Sequence, residues 1–171
     1  LVLDSLDHLE PLIWKKVCQV EGKKSIEEFG YGKGYVFALD YWREFLAAIN
    51  SLRHHKNMSL ILLAHTHIRA YNSPDTESYD RYEIKLHAKA SGLIQESVDS
   101  VLFAKHKIIT KKEDKGFNQT RVRGISTGER VLCTTETPGY IAKNRYGLPD
   151  EIDLTWAAFE QAITTATSKE T

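Results

Sequence analysis

Two short stretches place polar residues with catalytic potential directly after apolar runs: LVLDS at 1–5 and LILLAHTHIRA at 60–70. Asp4 follows the first run and His65 follows the second. Open α/β sheets bind ligands beyond the carboxyl ends of their strands, where an aspartate can hold Mg²⁺ through water beside bound phosphates. The spacing therefore predicts a nucleotide site in which Asp4 is the metal ligand and Ser5 lies beside it.

An apolar run that ends in Asp is the Walker B pattern, but Asp4 could instead be the N-cap of the next helix. Asp7 and Glu10 form a D-x-x-E pattern typical of a helix start, so Asp7 is available as the cap and Asp4 is left for magnesium. The chain contains no complete phosphate-binding loop of the form G-x-x-x-x-G-K-[ST]. GKKS at 22–25 and GYGKG at 30–34 lack residues that this pattern needs, and we interpret both as surface loop.

His65 and His67 are two residues apart, which in a strand places both imidazoles on one side. Together with Asp4 and His8 they could form a metal site, so a metal-dependent hydrolase is one alternative function. In the other interpretation, His65 contacts the γ-phosphate region of a nucleotide, as polar residues at this point of P-loop ATPases do. We favour the nucleotide, because no further Asp or Glu lies at a later strand end in a ligand-like position.

The stretch 68–89 alternates cationic and aromatic residues. Cations bind backbone phosphates and rings stack on bases, so this pattern is typical of single-stranded nucleic-acid binding. The alternative is an ordinary charged loop whose tyrosines pack on the domain, since four acidic residues dilute the patch. The candidate DNA contacts are Arg69, Tyr79, Arg81, Tyr82 and Lys85.

Overall charge indicates neither a nucleic-acid nor a membrane partner, since Lys plus Arg and Asp plus Glu number 23 each. Cys18 and Cys133 are far apart and lack CxxC spacing, which favours a reducing, cytoplasmic setting over a disulfide framework or a zinc ribbon. No apolar run approaches the roughly 20 residues that span a bilayer. We therefore predict a soluble protein with no membrane partner.

Strand and helix patterns alternate through the first two thirds of the chain and predict an α/β fold that begins with a right-handed parallel crossover. The continuous apolar run at the start is typical of a strand covered on both faces. Later short segments predict antiparallel strands added at the C-terminal edge of the sheet. The predicted elements are a strand at 1–6, a helix at 7–18, an exposed excursion at 19–35, a helix at 36–55, a strand at 57–65, a helix at about 86–98, strands at 100–108, 121–126, 130–136 and 139–145, a polar loop at 111–119, a helix at 153–163 and a frayed tail at 164–171.

Four segments together resemble the phage-encoded nucleotide-binding proteins of the RecA-like P-loop ATPase group, which are linked to single-strand annealing and recombination. They are LVLDS, LILLAHTHIRA, YDRYEIKLHAKASGLIQESVDSVLFAKHK and GERVLCTTETPGYIAKNRYGLP. The resemblance implies ATP and Mg²⁺ as cofactors, and a RecA-like core whose mostly parallel sheet is flanked by helices. It implies single-stranded DNA as a partner and a bacterial host cytoplasm as the location, with a single-strand DNA-binding protein as a further partner.

The same resemblance assigns roles to individual residues. Asp4 matches the Walker B acid, His65 matches the polar sensor at the strand end, and 68–87 occupies the place of the DNA-binding loop. Lys143 and Arg145 in AKNR resemble the K-x-R element with which related hexameric helicases reach a neighbour's nucleotide. A homo-oligomer with nucleotide sites at its subunit interfaces is therefore implied.

Walker A and the glutamate that activates water precede Walker B in this group, and neither is located in the chain. We therefore expect a partial ATPase domain over 1–159, with the first strand and the P-loop missing, followed by the end of a helix and a tail over 160–171. A non-enzymatic module that binds single-stranded DNA through a degenerate ATPase core is the second alternative function.

Overall fold

The computed structural model describes residues 1–114 and 120–168. The chain forms two compact units, Leu1–Val98 and Asp99–Thr171. Both units contain helices and strands, so the predicted mixed α/β class is confirmed. None of the helices in the described ranges has the length and apolar character needed to cross a membrane.

The first unit opens with the predicted crossover between two parallel strands. Val2 pairs with Ile61 and Leu3 with Leu62, and the two helices between them complete the connection. In the described residues the parallel sheet has these two strands alone, so a larger RecA-like sheet stays a prediction. The elements of this unit are β1 (Val2–Leu3), α1 (Leu6–Val20), a 3-10 turn (Ile26–Phe29), α2 (Lys33–Lys56), β2 (Ile61–Leu62), β3 (Thr66–Tyr71), β4 (Tyr79–Ile84) and α3 (Ala88–Ser97).

Helical periodicity explains how the core of this unit forms. On α2, Ala38, Trp42 and Ile49 recur at helical spacing and are buried, and Trp42 has 0% of its surface exposed. They join buried residues of α1 and α3 in one cluster, and each large side chain removed from water contributes about 1.5–3 kcal/mol. The long helix predicted at 36–55 is confirmed as α2, and its last apolar residue, Leu52, is exposed.

The β1–β2 sheet is covered on one face. Leu3 and Leu62 pack against the core cluster, whereas Val2 is 58% exposed and Ile61 is 38% exposed. The expectation that the first strand is covered on both faces is therefore wrong for the described part of the chain. A continuous apolar run does not specify how many layers cover it.

The stretch after His65 is a β-hairpin, whereas the sequence predicted a loop. β3 and β4 pair antiparallel in unbroken register from Thr66 with Ile84 to Tyr71 with Tyr79. The residues between Tyr71 and Tyr79 connect the two strands, and the Ser78 hydroxyl donates to the Asn72 side chain there at 2.7 Å. The strands were missed because several of their inward residues are charged. The helix expected at 86–98 is present as α3.

The second unit contains the antiparallel strands, but they form sheets of their own. The elements are β5 (Ser100–Val101), β6 (Phe103–Asp114), β7 (Thr120–Cys133), β8 (Lys143–Asn144), β9 (Glu151–Asp153) and α4 (Trp156–Thr167). Strand order is β6-β7-β9 in one sheet, and β5 pairs with β8 in another. Segments 121–126 and 130–136 were expected to be separate strands, yet one strand, β7, runs through Gly128 with a register shift opposite His106 and Ile108.

Two further predictions fall in this unit. The polar loop predicted at 111–119 is strand as far as Asp114, and its remainder lies outside the described residues. Residues 164–167, predicted to fray, are helical, while 169–171 also lie outside the described residues. The division of the chain into 1–159 and 160–171 stays a prediction.

Candidate active site

The parallel strand pair brings the two sequence-predicted positions to one sheet edge. The backbone N–H of Leu63 donates to Leu3 O at 2.9 Å, and that of Leu6 donates to Leu63 O at 2.8 Å. Asp4 follows β1 and His65 lies just past β2, so both residues emerge at the carboxyl ends of adjacent strands. This is the edge at which open α/β sheets bind ligands.

The Asp4 side chain is exposed and unengaged. Within the described residues, no hydrogen bond or ion pair involves its carboxylate. An exposed carboxylate with open lone pairs fits a hydrated magnesium ion, which is bound through one or two carboxylates and several waters. The predicted role of Asp4 is therefore compatible with its environment.

Asp7 is not the helix cap that the sequence predicted. Ser5 occupies the N-cap position of α1, and Asp7 lies in the first helical turn with its side chain only 5% exposed. Its carboxylate accepts the backbone N–H of His65 at 3.1 Å and the ring Nδ1 of His65 at 2.9 Å. Asp7 thus joins the start of α1 to the end of the β2 segment.

The pKa of Asp7 shows how strongly this environment favours the charged form. Burial acts to raise the pKa, but hydrogen bonds from the Ser5 side chain and from the backbone and ring of His65 outweigh it. The result is a pKa held well below the usual range of an aspartate. Asp7 is therefore a buried, ionised carboxylate beside His65.

His8 completes the cluster. Its Nδ1 is 2.8 Å from Ser5 Oγ, and its ring lies edge-to-face against His65 with the centroids 5.7 Å apart. Asp7, His8 and His65 each bring one atom of metal-ligand type within 4.8 Å of the others. The metal set considered from sequence was different: Asp4 and His67 are outside this group, and His67 Nε2 is buried without a hydrogen-bond partner in the described residues.

A second buried carboxylate, Glu10, lies one turn further along α1. It is buried and accepts the backbone N–H of His87 at 3.0 and 3.1 Å. Burial raises the pKa of Glu10, and the nearby charge of Asp7 adds to this, while the bond from His87 acts the other way. This contact was not predicted, because D-x-x-E spacing is typical of a local helix start and gives no sign of a distant partner.

His87 also takes part in an aromatic stack. The His87 ring stacks on Tyr35 with centroids 4.0 Å apart, and the Tyr35 hydroxyl donates to Glu27. That hydrogen bond, with burial, raises the pKa of Tyr35 to about 12. Burial and the nearby cations Lys89 and Arg69 lower the pKa of His87, which favours a neutral ring in the stack. Neither residue was a sequence-predicted site residue.

The candidate DNA contacts on the hairpin differ in how exposed they are and in which side chains they contact. Arg81 is 13% exposed, lies 4.2 Å above the Tyr71 ring and pairs with Glu83 at 3.2 Å, whereas Arg69 is half exposed and 3.9 Å from Glu83. Tyr82 and Lys85 are exposed. Tyr79 is partly buried and packs against Tyr71.

The hairpin is also tied to the strand edge. The backbone N–H of Lys85, directly after β4, donates to the carbonyl of His65 at 2.9 Å. The end of the hairpin is therefore one hydrogen bond from the residue that Asp7 holds.

Lys143 and Arg145 lie in the second unit, where the strand predicted at 139–145 is limited to Lys143–Asn144. Lys143 itself is in β8 and pairs with Val101 of β5. The backbone N–H of Arg145 donates to Asp99 O at 3.3 Å, and its guanidinium lies 3.6 Å from the Asp99 carboxylate. The Arg145 side chain is nevertheless more than half exposed.

GKKS at 22–25 lies in the connection between α1 and α2, and GYGKG at 30–34 runs from that connection into the start of α2. Residues 22–25 are exposed, as predicted for a surface loop. Gly34 is instead buried, and a Cβ there would lie 2.6 Å from the carbonyl oxygen of Ile26. This glycine is required by close packing inside the first unit, and no phosphate-binding role is needed to explain it.

Comparison with known proteins identifies a family for this chain. No curated protein and no solved structure matches the sequence significantly. A family model described as an AAA domain matches residues 1–146, a range that includes Asp4, the Asp7–His65 pair, the hairpin and Arg145. The family is of the nucleotide-binding, ATPase type, which agrees with an exposed acid at the end of a parallel strand. The chain belongs to the AAA domain family.

Proposed function

We propose that the protein is an ATP-binding, magnesium-dependent ATPase of RecA-like type that acts on single-stranded DNA in phage recombination or annealing. The observation that carries the proposal is the position of Asp4 within a matched AAA domain, exposed at the carboxyl end of β1 and beside His65. Bound magnesium would neutralise charge on the nucleotide phosphates. Asp4 would hold that ion through water, with Ser5 beside it.

His65 supports a role at the nucleotide. Its ring is 64% exposed, yet its Nδ1 side is fixed by Asp7 at 2.9 Å. An imidazole that is accessible on one side and anchored on the other can hold a constant orientation toward a terminal phosphate or its attacking water without a large entropy cost. A freely rotating surface histidine lacks that property.

The hairpin supports DNA dependence. It begins at Thr66, directly after His65, and returns to the His65 carbonyl through Lys85. Exposed Tyr82 and Lys85 offer a ring for base stacking and a cation for phosphate at the same end of β4. Single-stranded DNA held at this end of the hairpin could change the position of His65, and this would couple DNA binding to ATP hydrolysis.

Assembly is part of the proposal. Lys143 and Arg145 are proposed to reach the nucleotide of a neighbouring subunit, where a guanidinium can stabilise charge on the transferring phosphoryl group. Nucleotide sites would then lie at the subunit interfaces of a homo-oligomer in the cytoplasm of a bacterial host. A single-strand DNA-binding protein is a further proposed partner.

The test is ATP turnover by the full-length protein with and without single-stranded DNA. We expect Asp4→Asn to remove most DNA-stimulated turnover, because an amide is a poorer magnesium partner than a carboxylate. The matched control is Asp40→Asn, which makes the same change at an exposed acid that pairs with Arg43. Turnover that is equal in the wild type and Asp4→Asn would contradict the proposal. DNA binding without any turnover in the wild type would favour the non-enzymatic module.

A further inference from the structure

The hydrogen bonds that Asp7 accepts determine which nitrogen of His65 carries a proton. An ionised carboxylate only accepts hydrogen bonds, so the His65 ring must donate to Asp7 from Nδ1, 2.9 Å away. The backbone N–H of His65 donates to the same carboxylate at 3.1 Å. The His65 imidazole is therefore protonated on Nδ1.

This arrangement leaves the opposite ring nitrogen as the reactive one. A neutral imidazole protonated on Nδ1 has an unshared electron pair on Nε2, at the far corner of the ring. In His65 that corner belongs to a ring that is 64% exposed, while the Nδ1 side contacts the buried carboxylate. The His65 Nε2 atom is thus an oriented hydrogen-bond acceptor at the sheet edge where Asp4 emerges.

We propose that Asp7 is a positioning residue that fixes His65 in the Nδ1-protonated form, so that His65 Nε2 accepts a proton or hydrogen bond from a water at the nucleotide. The role at water rests on the proposed ATPase function, whereas the proton position on His65 follows from its hydrogen bond to Asp7. Asp7 itself touches neither nucleotide nor water in this arrangement.

A metal ion shared by Asp7, His8 and His65 is the competing explanation for the cluster. Three observations favour hydrogen bonding: Asp7 accepts both the backbone N–H and the ring Nδ1 of His65, its side chain is almost fully buried, and both Nδ1 atoms already have oxygen partners. A ligand set for zinc would have to give up several of these contacts. The proposal is therefore the hydrogen-bonded arrangement, and the test includes metal binding as the result that would contradict it.

The first measurement is the nitrogen chemical shifts of the histidine rings, recorded on full-length protein labelled with ¹⁵N-histidine and assigned by single His→Gln variants. We expect His65 to show a protonated Nδ1 and an unprotonated Nε2. Asp7→Asn should remove this preference, because an amide can either accept from the ring or donate to it. Ser5→Ala and Asp40→Asn should leave the His65 ring unchanged, since Ser5 contacts His8 and Asp40 pairs with Arg43.

The second measurement separates positioning from general damage to the fold. We expect Asp7→Asn to lower kcat for ATP roughly 10- to 100-fold while KM for ATP stays unchanged, as for other partners that orient a catalytic histidine. Circular dichroism of each variant checks folding, and the ring shifts of His65 in the wild type test the proton assignment even if Asp7→Asn fails to fold.

Protonation of Nε2 on His65 in the wild type would overturn the proposal, as would zinc or cobalt binding that is lost in Asp7→Asn. An equal kcat in the wild type and Asp7→Asn would also overturn it. If the wild type hydrolyses no ATP but the ring protons are as expected, the ATPase function fails while the proton assignments stand.

Discussion

The carboxylate of Glu10 accepts the backbone N–H of His87 across 77 positions of sequence, with both oxygens at 3.0–3.1 Å. This contact joins the middle of α1 to the residue that precedes α3. Since Glu10 is buried, its oxygens satisfy a backbone donor that would otherwise be left without a partner inside the unit.

Removing the Glu10 acceptor should destabilise the first unit. We expect Glu10→Ala to lower the free energy of unfolding by about 1–3 kcal/mol, because the His87 N–H loses its acceptor. Glu10→Gln retains an amide oxygen at the same position and should cost less. Urea unfolding followed by tryptophan fluorescence measures both. Equal losses in the two variants would show that the hydrogen bond is not the source of the stability.

Asp7 should make stability depend on acidity. Its pKa is held below the usual aspartate value of 3.8, so the folded state binds this proton more weakly than the unfolded state. The stabilisation is therefore present above pH 3.8 and is lost as pH falls below it, and we expect it to be on the order of 2 kcal/mol. Unfolding in urea between pH 2 and pH 7 should show a shallower acid decline for Asp7→Asn.

The pH dependence of stability that Glu10 contributes has the opposite sign to that of Asp7 and serves as an internal control. Its pKa is raised above the usual value of 4.5, so its contribution is fully present below that pH and is lost as pH rises above it. Glu10→Gln should therefore flatten the curve above pH 4.5 and leave the acid decline intact. Identical pH profiles for the two variants would exclude this assignment of the two carboxylates.

Two glycines in the first unit should respond oppositely to alanine. A Cβ at Gly34 would lie 2.6 Å from Ile26 O and 2.8 Å from the Phe29 ring, so Gly34→Ala should cost about 1–3 kcal/mol. At Gly92, in α3, no atom lies within 4 Å of the new Cβ, so Gly92→Ala should stabilise the unit by about 0.5–1 kcal/mol. Thermal unfolding of both variants provides the comparison, and a stabilised Gly34→Ala would refute the packing argument.

Within the hairpin, the charged residues should affect DNA binding unequally. We expect Lys85→Ala and Arg69→Ala each to weaken single-stranded DNA binding and to reduce the slope of log affinity against log salt by about 0.7. Arg81 is held between Tyr71 and Glu83, so its geometry favours a structural role, and Arg81→Ala should lower stability with less change in the salt slope. Tyr82→Ala should lower affinity at an unchanged slope, because stacking releases few ions.

Fluorescence anisotropy with a labelled oligonucleotide, repeated over a series of salt concentrations, measures affinity and slope together. If Lys85→Ala, Arg69→Ala and Tyr82→Ala all leave the affinity unchanged, the alternative is favoured, in which the hairpin is an ordinary charged surface. A reduced salt slope in Arg81→Ala would show that this arginine leaves its pocket to contact phosphate.

Arg145 should act on a neighbouring subunit. We expect Arg145→Ala to lose most ATP hydrolysis and to retain ATP binding, because the guanidinium would stabilise the transition state and not the ground state. Mixing Arg145→Ala with Asp4→Asn should recover some activity, since some interfaces then join an intact Asp4 to an intact Arg145. Arg43→Ala is the control, an arginine ion-paired with Asp40 at 2.7 Å. Mixed oligomers without recovered activity would argue against action between subunits.

The sequence predicted α2 and the placement of Asp4 and His65 because both follow from local rules. Ala38, Trp42 and Ile49 recur at helical spacing, and an apolar run followed by a polar residue places that residue at a strand end. The hairpin could not be predicted in this way. Its inward side includes Arg81 and Glu83, whose burial depends on an ion pair and on stacking with Tyr71, and pattern analysis assigns such residues to the surface.

The cluster around Asp7 was missed for a related reason. Asp7 and Glu10 match a helix-start pattern, and nothing local distinguishes a carboxylate that caps its own helix from one that binds a distant backbone N–H. Their partners, His65 and His87, are 58 and 77 positions away. Only the tertiary fold supplies contacts at that separation.

Each compact unit contains one buried, unpaired cysteine: Cys18 in the first and Cys133 in the second. A thiol reagent cannot reach a side chain that is enclosed in a folded core, so modification of each sulfur requires its own unit to open. Brief exposure to an alkylating reagent, followed by peptide mass spectrometry, would therefore time the opening of the two halves separately in one sample. Nucleotide that protects Cys18 more than Cys133 would locate its stabilising effect without any engineered probe.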